Sequence, residues 1–219
     1  MSSMRNSHVR SVRVTVAVFL AKLRLALSNR VLAALFHLDN ERVVSHIVRQ
    51  VRTALMKDFV PFHLGLQHIN RQTAIEQYQT TVATILHTNK PKQLCVVADE
   101  TYLFIQKSSN NQLQRKCYSM HKHRNLVKPM ILTATVSLLL EILLVNGQIK
   151  QWKYFNQTIQ NSSLRFISSY LDITCALINA FRPRLVSDIL AGSEIAYRML
   201  EKFNQQNDIQ IRLSQVAKE

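Results

Sequence analysis

Asp99 is the residue whose possible chemistry the sequence defines most clearly. It follows the apolar run 94–98, so its carboxylate lies at the end of a predicted strand. An ionised carboxylate buried in that position needs a cation, several hydrogen-bond donors or a metal ion. Asp99 is therefore either a metal-binding acid or a structural acid that caps a turn or pairs with a nearby lysine. Glu100 cannot be a second ligand of the same ion if the strand continues, because successive strand residues point to opposite faces.

Two groups of basic residues could bind phosphate. One face of a predicted helix carries residues three and four positions apart: Arg42, Ser45, His46, Arg49 and Arg52. The segment 107–128 contains six Lys and Arg residues and no acid. Such surfaces either lie along a nucleic-acid backbone or simply face solvent. In the second group, we expect DNA contacts from Lys107, Arg115, Lys116, Lys122 and Arg124.

Histidines and cysteines give little support for a metal site. His121 and His123 could bind a metal ion from one face of a strand, but the surrounding cations would repel it. Cys95, Cys117 and Cys175 are an odd number at wide spacing, which indicates neither a disulfide framework nor a zinc cluster. Free cysteines are typical of a reducing compartment.

The basic helix is the last of three helices predicted within residues 1–60. Its apolar residues also recur three and four positions apart: Val44, Ile47, Val48, Val51 and Leu55. Ser28 and Asp39 are expected to cap the second and third helices. A short helix, a tight turn and a longer helix with one basic face are typical of a helix-turn-helix, whose basic face lies along the DNA major groove. The alternative is a helical bundle whose charged face is only solvated.

Three regions are predicted along the chain. Residues 1–60 form the helix-turn-helix module. Residues 61–92 connect the two halves, with Pro61 ending the third helix and a further helix at 73–87. Residues 93–219 form the third region, where the period of the apolar pattern changes.

The third region predicts a small sheet followed by helices. Its β-branched, aromatic and apolar stretches predict strands at 94–98, 101–106, 113–119 and 130–136. We expect these strands to form a small, mostly antiparallel meander. Helices are predicted at 164–181 and 193–204. The fold class expected for the whole chain is α+β, mostly helical.

Composition limits the classes of partner. The 219 residues contain 28 Lys and Arg against 13 Asp and Glu, a formal charge of +15, which favours a polyanion and above all nucleic acid. Hydrophobic residues make up 47%, with three Gly and four Pro, so a disordered or collagen-like chain is excluded. The most apolar run, 134–145, contains Glu141 and is too short to cross a bilayer, so no membrane partner is expected.

Several segments resemble a known family. The sequences VVADETYLFIQKSSNNQLQRKCYSMHKHRNLVKPMIL at 96–132 and NGQIKQWKYF at 146–155 resemble parts of the Harbinger-like DDE superfamily endonuclease domain. This is the catalytic domain of a group of DNA transposases. Residues 28–56, followed by DFVPFHLGLQHIN at 58–70, resemble the DNA-binding module that precedes it, and 168–179 is also similar.

The resemblance implies a ribonuclease-H-like fold in which three carboxylates hold two divalent ions, Mg²⁺ or Mn²⁺. Asp99 matches the first carboxylate and is the implied metal ligand. The family's second Asp falls in a stretch that is reduced here to residues 136–145, which contain no Asp. The third acid is matched by Leu143, and Glu141 lies two residues away, about 200° around a helix. A single assured ligand cannot hold two Mg²⁺ ions.

The sequence therefore predicts a nuclear, transposase-derived protein that binds double-stranded DNA. Its helix-turn-helix would precede an internally deleted, truncated ribonuclease-H-like domain without nuclease activity. One alternative is an active Mg²⁺-dependent endonuclease in which Glu141 or another acid completes the site. Another is a non-functional transposon remnant that does not fold. The oligomeric state is left open.

Overall fold

A computed structural model describes residue 4 and residues 10–65, 68–88, 92–134, 140–181 and 191–204. The fold is α+β and mostly helical, as expected. Its residues divide into two compact units, each built from separate stretches of the chain. The first unit takes Met1–Asn70, Ala98–Leu132 and Ile142–Pro183, and the second takes Arg71–Val97, Thr133–Glu141 and Arg184–Glu219.

Four helices open the first unit: α1 (Val12–Leu25), α2 (Asn29–Leu35), α3 (Glu41–Asp58) and α4 (Val60–His63). Ser28 caps α2 as predicted, because its hydroxyl accepts a hydrogen bond from the Val31 N–H at 3.3 Å. The prediction that Asp39 caps α3 is wrong by one residue. Asn40 holds that position, where its side-chain oxygen accepts from the first free N–H groups of the helix.

The apolar face of α3 is buried as predicted: Val44, Ile47, Val48, Val51 and Leu55. These residues share one core with α1 and with two later helices, α9 (Lys153–Asn156) and α10 (Ile167–Phe181). The ring centroids of Phe19 on α1 and Tyr170 on α10 lie 6.0 Å apart. Residues 1–60 therefore form a core together with C-terminal helices of the same unit.

Pro61 does not end α3. That helix ends at Asp58, and Pro61 lies in the first turn of α4. Backbone N–H groups in a first turn have no hydrogen-bond partner within the helix, so the N–H that proline lacks is not needed there. The helix predicted at 73–87 is two helices of the second unit, α5 (Arg71–Tyr78) and α6 (Thr81–His87). The Thr80 hydroxyl accepts from the Ala83 N–H and starts the second of them.

Five strands are present in the described residues: β1 (Val96–Glu100), β2 (Leu103–Phe104), β3 (Tyr118–Ser119), β4 (Arg124–Val127) and β5 (Met130–Ala134). Strand β1 pairs with β5. Strand β4 pairs antiparallel with both β2 and β3 and lies between them. This order differs from a meander, in which β3 would lie between its chain neighbours.

The predicted strand at 113–119 is wrong for most of its length, because α7 (Asn111–Cys117) occupies it. Asn110 caps this helix by accepting hydrogen bonds from the N–H groups of Gln112 and Leu113. The segment NQLQRKC contains no β-branched residue, so little opposes the helix once it is capped. Only Tyr118–Ser119 pair as a strand.

The remaining elements are α8 (Leu140–Lys150), a 3₁₀ helix (Asn161–Phe166) that leads into α10, and α11 (Gly192–Asn204). The helices predicted at 164–181 and 193–204 are confirmed. The last residues of the strand predicted at 130–136 lie outside the described residues. Among the described helices, none has both the length and the apolar character needed to cross a membrane.

Candidate nucleic-acid interface

The basic face of α3 lines a cleft of about 920 Å³ in the first unit. The end of α1, the start of α2 and the segment 154–170 form its other walls. Its described lining includes one acid, Glu41, and a much larger set of basic residues: Lys22, Arg42, His46, Arg49, Arg52 and Arg165. The fold therefore gathers positive charge from three separate stretches of sequence around one concave surface.

Arg52 is held at the closed side of this cleft by aromatic rings. Its guanidinium carbon lies 3.8 Å from the centroid of the Phe166 ring and 5.9 Å from that of Tyr170. Burial raises the pKa of Tyr170, while the charge of Arg52 and its hydrogen bond to the phenol oppose that rise. Arg165 also lies over Phe166, at 4.6 Å. Arg52 thus joins α3 to the opposite wall through a cation–π contact.

The other predicted residues of the α3 face are exposed: Arg42, Ser45, His46 and Arg49. Nη2 of Arg49 lies 3.4 Å from Nδ1 of His46. The Ser45 hydroxyl accepts from the side-chain amide of Asn29 at 2.9 Å and donates to the Glu41 carbonyl at 3.1 Å. Ser45 therefore holds Asn29 in place, whereas Arg42 and Arg49 are exposed to solvent.

Lys22 is a cleft residue that the sequence patterns did not reveal. Its Nζ donates to Oδ1 of Asn29 at 2.7 Å. Burial lowers the pKa of Lys22, because removal from water penalises the charged form. Lys22 and Asn29 therefore form a hydrogen-bonded pair in the cleft lining, and an anion in the cleft would compensate the cost of burying the lysine.

A second cavity, of about 510 Å³, adjoins the cleft. Gln106 and Thr158 line both, so the two spaces share a border. Lys107, His123 and Arg124 line the second cavity. The structure thus brings the α3 face next to part of the predicted basic segment 107–128.

Arg124 and Lys122 each lie over an aromatic ring. The guanidinium of Arg124 lies 5.2 Å from the Phe104 centroid, and Nζ of Lys122 lies 5.6 Å from the Tyr102 centroid. Arg115 and Lys116 are exposed in the last turn of α7. An amide pair between Gln114 and Asn125 fastens that helix to β4.

Asp99 is half-buried on β1, at the position the sequence predicts. Its Oδ2 accepts a hydrogen bond from the side-chain amide of Asn146 on α8. Glu100 is exposed and pairs with Lys128 at 3.1 Å. The two acids have different partners, which agrees with side chains on opposite faces of the strand.

The described residues do not fit a site for two metal ions. Glu141 and Leu143 belong to α8, but their side chains lie outside the described residues. Among the side chains that are described, no three His, Cys, Asp or Glu residues come together as metal ligands. Asp99 is the residue that matches the first carboxylate of the Harbinger-like family. In the structure its partner is the uncharged side-chain amide of Asn146.

Comparisons of the chain with protein-family models, with curated proteins and with solved structures gave no match. The resemblance to Harbinger-like endonucleases therefore stays a prediction from the quoted motifs.

The sequence patterns did not assign Lys22, Asn29, Arg165 or Phe166 to this site. Asn29 directly follows the predicted cap Ser28, and Lys22 lies six residues before it. Arg165 and Phe166 lie more than a hundred residues beyond α3, and helical periodicity carries no information at that distance.

Proposed function

We propose that the chain is a transposase-derived DNA-binding protein whose cleft and adjoining cavity hold the phosphate backbone. The observation that carries this proposal is the cleft lining, with Lys22, four arginines and His46 against the single described acid Glu41. A concave surface lined by positive charges focuses their electric field and attracts an anion. A nucleic-acid backbone supplies a regular row of such anions.

The second basic surface extends the proposed contact. Lys107 and Arg124 lie at the cavity that shares Gln106 and Thr158 with the cleft. Arg115, Lys116 and Lys122 are exposed on neighbouring elements of the same unit. Double-stranded DNA would contact these residues through its phosphates, which position a duplex without reading its sequence. The transposase ancestry and a nuclear location rest on the motifs at 96–132 and 146–155.

The proposal includes the loss of nuclease activity. The family reaction needs carboxylates that hold divalent ions, which would activate the attacking oxygen and stabilise the leaving one. Asp99 is supported here by Asn146, a neutral amide. The sequence between the matched segments contains no second Asp.

Salt dependence of DNA binding tests the first part of the proposal. Fluorescence anisotropy with a labelled duplex should give log K falling linearly with log salt, with a slope near −0.9 for each phosphate contact. We expect a slope of about −4 to −5 if most of the basic residues that line the cleft take part. Binding that does not weaken with salt would contradict the proposal.

A nicking assay with supercoiled DNA and Mg²⁺ or Mn²⁺ tests the second part. We expect the wild type and Asp99→Asn to give the same background. Cleavage by the wild type that disappears in Asp99→Asn would instead establish the active endonuclease, with Asp99 as its metal-binding acid.

A further inference from the structure

We infer that the cleft between α3 and the segment 154–170 binds an unpaired nucleotide strand, which can enter it further than paired DNA can. This inference rests on the proposed function and adds the form of DNA that the cleft accepts. Three features of the described residues carry it: the closed side of the cleft, its mixture of chemical groups, and its continuation into the second cavity.

The wall opposite α3 prevents this helix from entering a major groove. A recognition helix enters a major groove about 12 Å wide and must project from its domain to do so. The basic face of α3 instead looks across the cleft at residues 157–166. Arg52 spans the gap through its 3.8 Å contact with Phe166. A duplex can therefore place its phosphates against the exposed arginines of the lining, whereas an unpaired strand can enter the cleft itself.

The chemical groups of the lining match those of unpaired nucleotides. Arg42, Arg49 and Arg165 are exposed cations for phosphate, and guanidinium planes also provide surfaces on which bases stack. Side-chain amides provide donors and acceptors for the edge of a base: Gln106, Gln157 and Gln160. Base edges are available to such groups in an unpaired strand, because no partner base occupies them.

Size and continuity indicate a strand of several nucleotides. At about 920 Å³, the cleft lies near the upper end of the range for small-ligand sites, which is roughly 300–1,000 Å³. The second cavity continues from it past Gln106 and Thr158. A strand leaving the cleft on this side would meet Lys107 and Arg124, which could follow its backbone.

The experiment compares two labelled DNAs by fluorescence anisotropy at one salt concentration. One is a blunt duplex, and the other is the same duplex with a single-stranded thymidine tail of about ten nucleotides. We expect the tail to increase affinity about tenfold, since stacking of one base alone can contribute that much. A ribouridine tail, measured in parallel, shows whether a DNA or an RNA strand is the better source of the unpaired nucleotides.

Arg165→Ala and Arg30→Ala form a matched pair of variants. Each removes one exposed arginine from the first unit, but only Arg165 lines the cleft. Arg165→Ala should lower affinity for the tailed DNA at least about fivefold more than affinity for the blunt duplex. Arg30→Ala should leave the advantage of the tail unchanged.

Equal affinity for blunt and tailed duplexes would overturn the inference and leave the proposed function standing. The inference would also fail if Arg165→Ala weakened binding of both DNAs by the same factor. Absence of salt-sensitive binding to either DNA would remove the proposed function as well.

Discussion

The cleft and the Asp99 site belong to the same compact unit but differ in how their charges are compensated. In the cleft, Lys22 and four arginines face a single described acid, so much of the positive charge is left for an external anion. At β1, the carboxylate of Asp99 already accepts a hydrogen bond from Asn146. The same unit therefore leaves positive charge uncompensated at one place and satisfies a charged group at the other. This difference supports the proposal of DNA binding without cleavage.

The largest effect is expected from removing three cleft cations together. Arg42→Ala, Arg49→Ala and Arg165→Ala in one chain should lower duplex affinity about 10²–10³-fold at moderate salt, because three contacts with phosphate are lost. Asp99→Asn should bind as the wild type does. Anisotropy titrations of both variants measure the contrast, and comparable losses in the two would remove the distinction between the sites.

A second variant separates binding from stability within the cleft itself. Arg52→Ala should lower the free energy of unfolding by about 1–2 kcal/mol, since it removes the stacked contact with Phe166. Arg49→Ala should change stability by less than about 0.5 kcal/mol, because its side chain is exposed. Urea unfolding monitored by circular dichroism measures both. A destabilised Arg49→Ala with an unaffected Arg52→Ala would reverse the roles assigned to these arginines.

Sequence reasoning was accurate where local patterns decide the structure. The buried positions of α3 repeat at helical spacing, and Ser28 is a side chain that caps helices. It failed at 113–119, because a segment this short fits helix and strand alike until a cap such as Asn110 decides between them. It placed the α3 cap at Asp39 because both Asp39 and Asn40 are good caps and backbone geometry selects one.

The candidate site was only half predictable for a related reason. Arg42, Arg49 and Arg124 were identified from charge and spacing. The wall that turns the α3 face into a cleft comes from residues 154–170, which approach α3 through core packing over long sequence distances. Asn146, the partner of Asp99, carries no charge, so charge patterns in the sequence could not identify it.

At the Asp99 site, we expect a smaller effect. Asp99→Asn should change the free energy of unfolding by no more than about 1 kcal/mol, because Asp99 is half-buried and its partner is a neutral amide. Asp99→Leu, which removes the acceptor and leaves the Asn146 amide without it, should cost more than Asp99→Asn. Thermal unfolding measures both, and a severe loss in Asp99→Asn would show that the charge itself is structurally required.

The smallest effect concerns Lys22 and pH. Burial lowers the pKa of Lys22 in the folded chain below its ordinary value of 10.5. The unfolded chain therefore binds more protons between these two pKa values, so the lysine's contribution to stability improves as pH rises through that window. Relative to Lys22→Gln, the wild type should gain stability from neutral pH towards pH 10.5. Urea midpoints across pH measure this gain, and a wild type that loses stability relative to the variant would contradict it.

The most direct test of the central claim is the salt slope of duplex binding in two triple variants of equal charge. One is the cleft variant, with Arg42, Arg49 and Arg165 replaced by alanine. The other replaces Arg13, Arg30 and Lys57, which are exposed in the same unit outside the cleft lining. We predict that the cleft variant reduces the magnitude of the slope by about 2–3 while the control changes it by less than one. Equal reductions in the two variants would show that binding follows overall charge and that the cleft is not the site.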